Sequence, residues 1–388
     1  MESIVILYLK SKRFALSLLA GCLATMCCAS GFACTAMVIT DADGAAYNGK
    51  TMEFSYPIPL NMEYVPAGTK ISSKTPTGKT GIEFNTKYPI LGLGMLTFPG
   101  ANQDTMVEAI NNQGLSVSSN EFNDSKGPTA LGSDEHKILA ATDFAMWILG
   151  NFQSVQQVKQ ALLAGDVKIW LPKVPFLGNA AMPIHYAVFD KTGAGIVIEY
   201  SKGQQNIYDN EVGVMTNIPD FSWHLQNLNN YAFLSNVDRN HGKFNNLEVS
   251  APDSGNALVG LPSDQTSAGR FVKAAYYTSF VRKAKTADDA IITLAHILNN
   301  FDRPYNLSID PPGAVGDGPA LKTNSSEVTM FTWLSDKTRN RYYLRTIDSY
   351  NFTMIDMNKL AGEKKIKKIP ISMFNTMSSD STHLLLNQ

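Results

Sequence analysis

Residues 34–54 read CTAMVITDADGAAYNGKTMEF, and how they are read decides what kind of molecule this is. Val38 and Thr40 alternate with Ile39 as in a strand, Asp41-Ala42-Asp43-Gly44 supplies turn residues, and a second extended segment follows. The stretch therefore predicts two strands around a turn. It opens on Cys34, the last of four cysteines; Cys22, Cys27 and Cys28 lie just upstream, and none follows.

The upstream run reads as an export signal. Lys10, Lys12 and Arg13 precede the uncharged stretch 14–29, and Gly31-Phe32-Ala33 places small residues at −3 and −1 of a cut before Cys34. Residues 1–33 are thus expected to be removed, leaving 34–388 as a single domain. Other readings stay open. The apolar stretch is long enough for an uncleaved anchor, Leu19-Ala20-Gly21-Cys22 resembles a lipid-attachment site, and Cys34 could simply be the first cysteine of a secreted chain.

Losing Glu2, Lys10, Lys12 and Arg13 with that segment leaves 30 basic and 33 acidic groups. Such a balance excludes the clustered positive field of a nucleic-acid surface. A single thiol forms no internal disulfide, so the exported chain must be held by its core. An unpaired thiol in an oxidising compartment is a liability unless it is buried or used.

Further strands are expected at 91–98, 106–122, 185–200 and 211–217, with hairpin turns at Asn112-Gln113-Gly114 and Thr192-Gly193. Residues 328–348 predict a hairpin turning around Lys337 to Asn340. Helices are expected over 154–165, where Ser154 and Gln157 form a capping box and Gly165 terminates, over 286–301, and over 143–152. Antiparallel hairpins with a few amphipathic helices predict an α+β fold whose helices cover stacked sheets.

A cysteine made N-terminal by processing carries its own base. The freed α-amino group has an intrinsic pKa of roughly 7.7–8.0, so it can take the thiol proton and later hand it to a leaving amine. No histidine is then needed, and none of the six forms a metal-type or triad-type pattern. His185 and His224 suit core or hydrogen-bonding roles. GxSxG, phosphate-loop and HExxH motifs are absent, and no metal or cofactor is expected.

The segments CTAMVITDADG, KTMEF, VGVMTNIPDFSWHLQNLNNY and GLPSDQTSAGRFVKAAYY together resemble the choloylglycine hydrolase and penicillin V acylase family of N-terminal-nucleophile hydrolases. The likeness continues through ATDFAMWILGNFQSVQQVKQAL to RYYLRTIDSYNFTMIDMNKL, over nearly the whole chain after residue 33. It implies a four-layer αββα sandwich and hydrolysis of linear amide C–N bonds through a cysteinyl thioester.

The resemblance also implies roles, residue by residue. The N-terminal cysteine falls on Cys34. The arginine near the thiol falls on Lys50, and the aspartate that holds the α-amino group falls on Glu53. Both depart from the family's commonest pattern while keeping its charge. On the residues alone, Lys50 and Glu53 read as an exposed pair near a strand end. Asn217 matches the oxyanion-holding asparagine, although on the residues alone a turn former ahead of Pro219 is the stronger reading. Arg270 matches a second active-site arginine. The second oxyanion position falls on Glu121 by strict register, with Asn120 as its neighbour.

The expected substrate is a small-molecule acyl amide: a conjugated bile salt, a phenoxyacyl β-lactam or an N-acyl homoserine lactone. Phe54, Tyr56, Pro57 and Ile58 are placed to line an acyl pocket or to fill core. The expected location is periplasmic or secreted, without a membrane span after cleavage, and a homo-tetramer is compatible with the resemblance. The competing reading is an envelope binding protein, lipidated at Cys22, that never frees Cys34.

Overall fold

The computed structural model describes residues 32–378 apart from 56, 96–100, 129, 176–178 and 313–322, together with Ser381. The expected leader and the Tyr56 position therefore lie, from Met1 to Gly31 and at 56, outside the described residues. Within them no helix is long and apolar enough to cross a membrane.

Of the strands that build the two large sheets, the first in chain order are β1 (Phe32–Thr40), β2 (Ala46–Phe54), β3 (Leu60–Val65), β4 (Ile90–Met95), β5 (Thr105–Asn111) and β6 (Ser116–Glu121). After two helices come β7 (Ile184–Phe189), β8 (Gly195–Ser201), β9 (Gln204–Asp209) and β10 (Val214–Met215). The last are β11 (Val328–Asp336), β12 (Arg341–Thr346), β13 (Thr353–Asp356) and β14 (Lys367–Pro370). A six-stranded sheet runs β10-β1-β2-β11-β12-β13 and an eight-stranded sheet runs β9-β8-β7-β6-β5-β4-β3-β14.

Helices α1 (Phe144–Asn151) and α2 (Val155–Ala164) cover the larger sheet, while α3 (Ser267–Phe280) and α4 (Ala287–Leu298) cover the smaller one. This is the expected αββα order, and the local signals account for it. Ser154 and Thr286 each accept a backbone N–H three residues on, and Gly165 ends α2 in the left-handed region at φ 71°. Gly49 lets α4 lie close to β2: a Cβ there would meet Leu298 Cδ1 at 2.5 Å.

The β1–β2 hairpin is the expected one, with Cys34 opposite Met52 and Ala36 opposite Lys50. Side chains alternate across it. Cys34, Lys50 and Met52 therefore share the face toward the second sheet, whereas Thr35, Thr51 and Glu53 share the face toward α3 and α4. The strand expected over 211–217 is shorter than its sequence pattern. Only Val214 and Met215 pair with β1, because the next residues are taken over by side-chain hydrogen bonds.

Candidate active site

Cys34 is 2% exposed, its side chain lying between the sheets. Two side chains reach its main chain. The Cys34 N–H donates to Asn217 Oδ1 at 2.9 Å. Arg270 Nη1 donates to the Cys34 carbonyl and to Thr35 Oγ1, and Nη2 donates to Asn217 Oδ1 at 2.8 Å. Arginine has no acceptor, so this contact fixes which end of the Asn217 amide is oxygen. Asn217 Nδ2 in turn donates to the Glu121 carbonyl at 2.9 Å and keeps a second N–H.

Arg270 arrives from the first turn of α3, whose cap Thr266 accepts the Gly269 N–H. Burial pushes Arg270 down to about 10, Arg303 adds to that, and Glu53 opposes it. Arg303 pairs with Glu327, and its Nη2 joins Arg270 Nε on the Gln265 carbonyl. The two guanidinium groups thus share one acceptor on the helix side of the sheet.

Lys50 and Glu53 are both 0% exposed and lie on opposite faces of β2, which rules out the exposed pair. A spacing of three along a strand cannot bring two side chains together. Lys50 Nζ donates to the Val107 and Ser119 carbonyls at 2.8 and 2.6 Å, bridging to the second sheet. Glu53 stands opposite Ala33, the residue before Cys34. Its Oε1 accepts from Thr329 Oγ1 at 3.1 Å, and its Oε2 has no hydrogen-bond partner among the described residues. Burial pushes Glu53 up to about 7, against the pull of Arg270 and Arg303.

The thiol itself is pushed up to about 12. Burial dominates, Lys50 and Arg270 pull it down, and Glu53 and Glu121 add to the rise. Asn120 Nδ2 donates to the Thr216 carbonyl at 2.8 Å, so this amide braces the segment carrying Asn217. The structure thus gathers Cys34, Lys50, Glu53, Asn217, Arg270, Asn120 and Glu121 around one strand end. Phe54 is buried in the core and Ile58 packs against it.

Sequence reasoning passed over Thr329, Arg303, Glu327 and Ser267, whose Oγ accepts the Asn217 N–H at 3.0 Å. No local spacing announces them. His185 and His224 had the expected hydrogen-bonding character: His224 Nε2 donates to the Asn217 carbonyl, and burial pushes that ring down to about 4.

A family model described as linear amide C–N hydrolases, choloylglycine hydrolase family, matches residues 34–365. A bile salt hydrolase/transferase of Clostridium perfringens is 29% identical over 331 residues, spanning 84% of this chain and 93% of the relative. A penicillin V acylase of Pectobacterium atrosepticum is 24% identical over 368 residues, spanning 91% of this chain and 87% of its own length. Among solved structures, a mutant of the conjugated bile acid hydrolase from Clostridium perfringens superposes with a TM-score of 0.74 at 27% identity. That match covers 89% of this chain and 99% of the other. The penicillin V acylase from Agrobacterium tumefaciens shares the fold, with a TM-score of 0.68 at 20% identity over 88% of this chain and 94% of its own.

Proposed function

This chain belongs to the choloylglycine hydrolase family of linear amide C–N hydrolases, and from that premise we propose that it acts through Cys34, freed as the N-terminal residue during export to the periplasm or beyond. The observation that carries this reading is the hold on the Cys34 main chain. Asn217 and Arg270 grip its nitrogen and carbonyl while its thiol points inward toward Lys50.

While Ala33 is attached, the nitrogen of Cys34 is a non-basic amide and the thiol, near 12, stays protonated. Cleavage turns that nitrogen into an amine, still facing Asn217 Oδ1, and clears the place opposite Glu53. The amine takes the thiol proton and the sulfur attacks the substrate carbonyl carbon. The second N–H of Asn217 stabilises the oxyanion, and Lys50 supplies a nearby cation. Collapse breaks the C–N bond, the ammonium returns its proton to the departing amine, and water hydrolyses the thioester. The product released is the free carboxylic acid, such as a bile acid, phenoxyacetic acid or a fatty acid.

N-terminal sequencing of the exported protein tests the reading directly, with Cys34 as the expected first residue. Cys34→Ala is expected to remove hydrolysis of glycocholate and penicillin V with folding unchanged. A start at Cys22, or an active Cys34→Ala protein, would end it.

A further inference from the structure

His185 and Glu199 lie on neighbouring strands β7 and β8, 1% and 0% exposed, and the steps described above do not use them. His185 Nδ1 faces Glu199 Oε1 at 3.0 Å and Nε2 faces the Thr216 carbonyl at 3.1 Å. A carbonyl only accepts, so Nε2–H donates to Thr216, and the ring is held from its other side by Glu199. Glu199 also accepts the Phe221 N–H at 3.1 and 3.2 Å, so it braces the chain beyond Asn217 as well. The His185 ring stacks on Phe122 with centroids 4.9 Å apart, which fixes its plane.

Three backbone groups at Asn217 are each tied by side chains. Thr216 O takes His185 and Asn120, Asn217 N–H takes Ser267, and Asn217 O takes His224. An ordinary turn leaves such groups to water or to its own backbone. Here three side chains from separate elements converge on the 216–217 peptide and a fourth, His224, holds the next one, fixing a residue whose side-chain amide must meet Cys34 with its oxygen and an oxyanion with its nitrogen.

We propose that His185, braced by Glu199, is a positioning residue that aims the Asn217 amide by holding the Thr216 carbonyl. The role rests on the catalytic reading of Asn217 given above. His185 touches neither substrate nor thiol; it acts through the peptide. Only a small displacement is needed, because an oxyanion donor misplaced by about 1 Å costs roughly 100-fold in rate.

The test is a double-mutant cycle on the chain beginning at Cys34, following hydrolysis of glycocholate and penicillin V per thiol titrated with iodoacetamide. His185→Phe keeps the stack on Phe122 and removes the donor to Thr216. It is expected to lower kcat roughly 10- to 100-fold with KM within about threefold. In the Asn217→Ala background the same change is expected to matter less than about twofold, since there is no amide left to aim. Glu199→Gln is expected to stay within about threefold of wild type: its amide can donate to Nδ1 and accept the Phe221 N–H, leaving Nε2–H on Thr216. Glu199→Leu is expected to behave as His185→Phe, and it replaces that variant in the cycle should His185→Phe not fold.

A folded His185→Phe enzyme with unchanged kcat, or a full and additive loss in the Asn217→Ala background, overturns the positioning role alone. Unchanged kcat in Asn217→Ala by itself overturns the oxyanion reading, and the proposal with it.

Discussion

Two lysines are buried between the sheets, and they are built alike. Lys50 donates to the Val107 and Ser119 carbonyls; Lys337, at the far end, donates to the Gly114 and Phe189 carbonyls and to Ser116 Oγ. Both keep a desolvated cation on backbone oxygens of the second sheet, an arrangement that offsets burial only when the donors are well used. What differs is the company. Lys50 shares its face with Cys34 and pulls the thiol down, whereas Lys337 has its three contacts and no nucleophile. Burial lowers Lys337 to about 7, with Glu108 and Asp190 opposing. A caged lysine is therefore a way of joining two sheets, and function is added by what stands beside it.

The sharpest way to break this comparison is Lys50→Met. Lost thiolate and oxyanion stabilisation should lower kcat/KM by about 100-fold or more, with iodoacetamide labelling of Cys34 slowed in parallel. Lys337→Met should do the reverse. Three acceptors lose a donor, at about 1–3 kcal/mol for each one left buried and unmet, although the Phe189 carbonyl keeps the Ser116 hydroxyl at 3.3 Å. Denaturant unfolding should therefore show a loss of about 3 kcal/mol, while kcat per titrated thiol stays within about twofold. If both variants lost activity equally, the two cages would be parts of one catalytic network.

How much of this was legible beforehand depends on whether the cause is local. The hairpin at 34–54, the caps at Ser154 and Thr286 and the turn ahead of Asn340 follow from neighbours in sequence, and each lies where local chemistry predicts. The Cys34–Asn217 contact joins residues 183 apart and the Cys34–Arg270 contact joins residues 236 apart. No periodicity reaches that far, and only the family resemblance brought them together. Lys50 and Glu53 are a different lesson. Their spacing already placed them on opposite faces of a strand, so the exposed pair was excluded by period 2. His185 and Glu199 were equally within reach. A turn at Thr192-Gly193 with Tyr186 opposite Ile198 sets them side by side, one step further along the same hairpin. Arg303, in contrast, comes from a loop after α4 that nothing local aims at the site.

The smallest effect, and the one that tests the space between the lysines, belongs to Glu108. It is 0% exposed and accepts from Asn48 Nδ2 at 3.2 Å. Burial pushes it up to about 7, against Lys50, Ser118, Lys337 and Asn48. A carboxyl whose folded pKa lies above its unfolded value near 4.5 holds its proton more tightly in the native state. Its contribution is then fully present below about pH 4.5 and is lost as pH rises through about 7. Glu108→Gln removes that loss while keeping an acceptor and adding a donor. The variant should therefore gain on wild type between about pH 5 and about pH 7, by on the order of 2 kcal/mol. Glu53, Glu63 and Asp143, each also pushed up to about 7, lower both proteins alike and cancel in the difference. The window stops near 7 because Lys337, lowered to about 7, titrates there as well. Chemical unfolding of the two proteins across this range decides the matter. A constant difference would mean that Glu108 stays ionised throughout, and Lys50 would then be a neutralised partner of Glu108 instead of a free cation for Cys34.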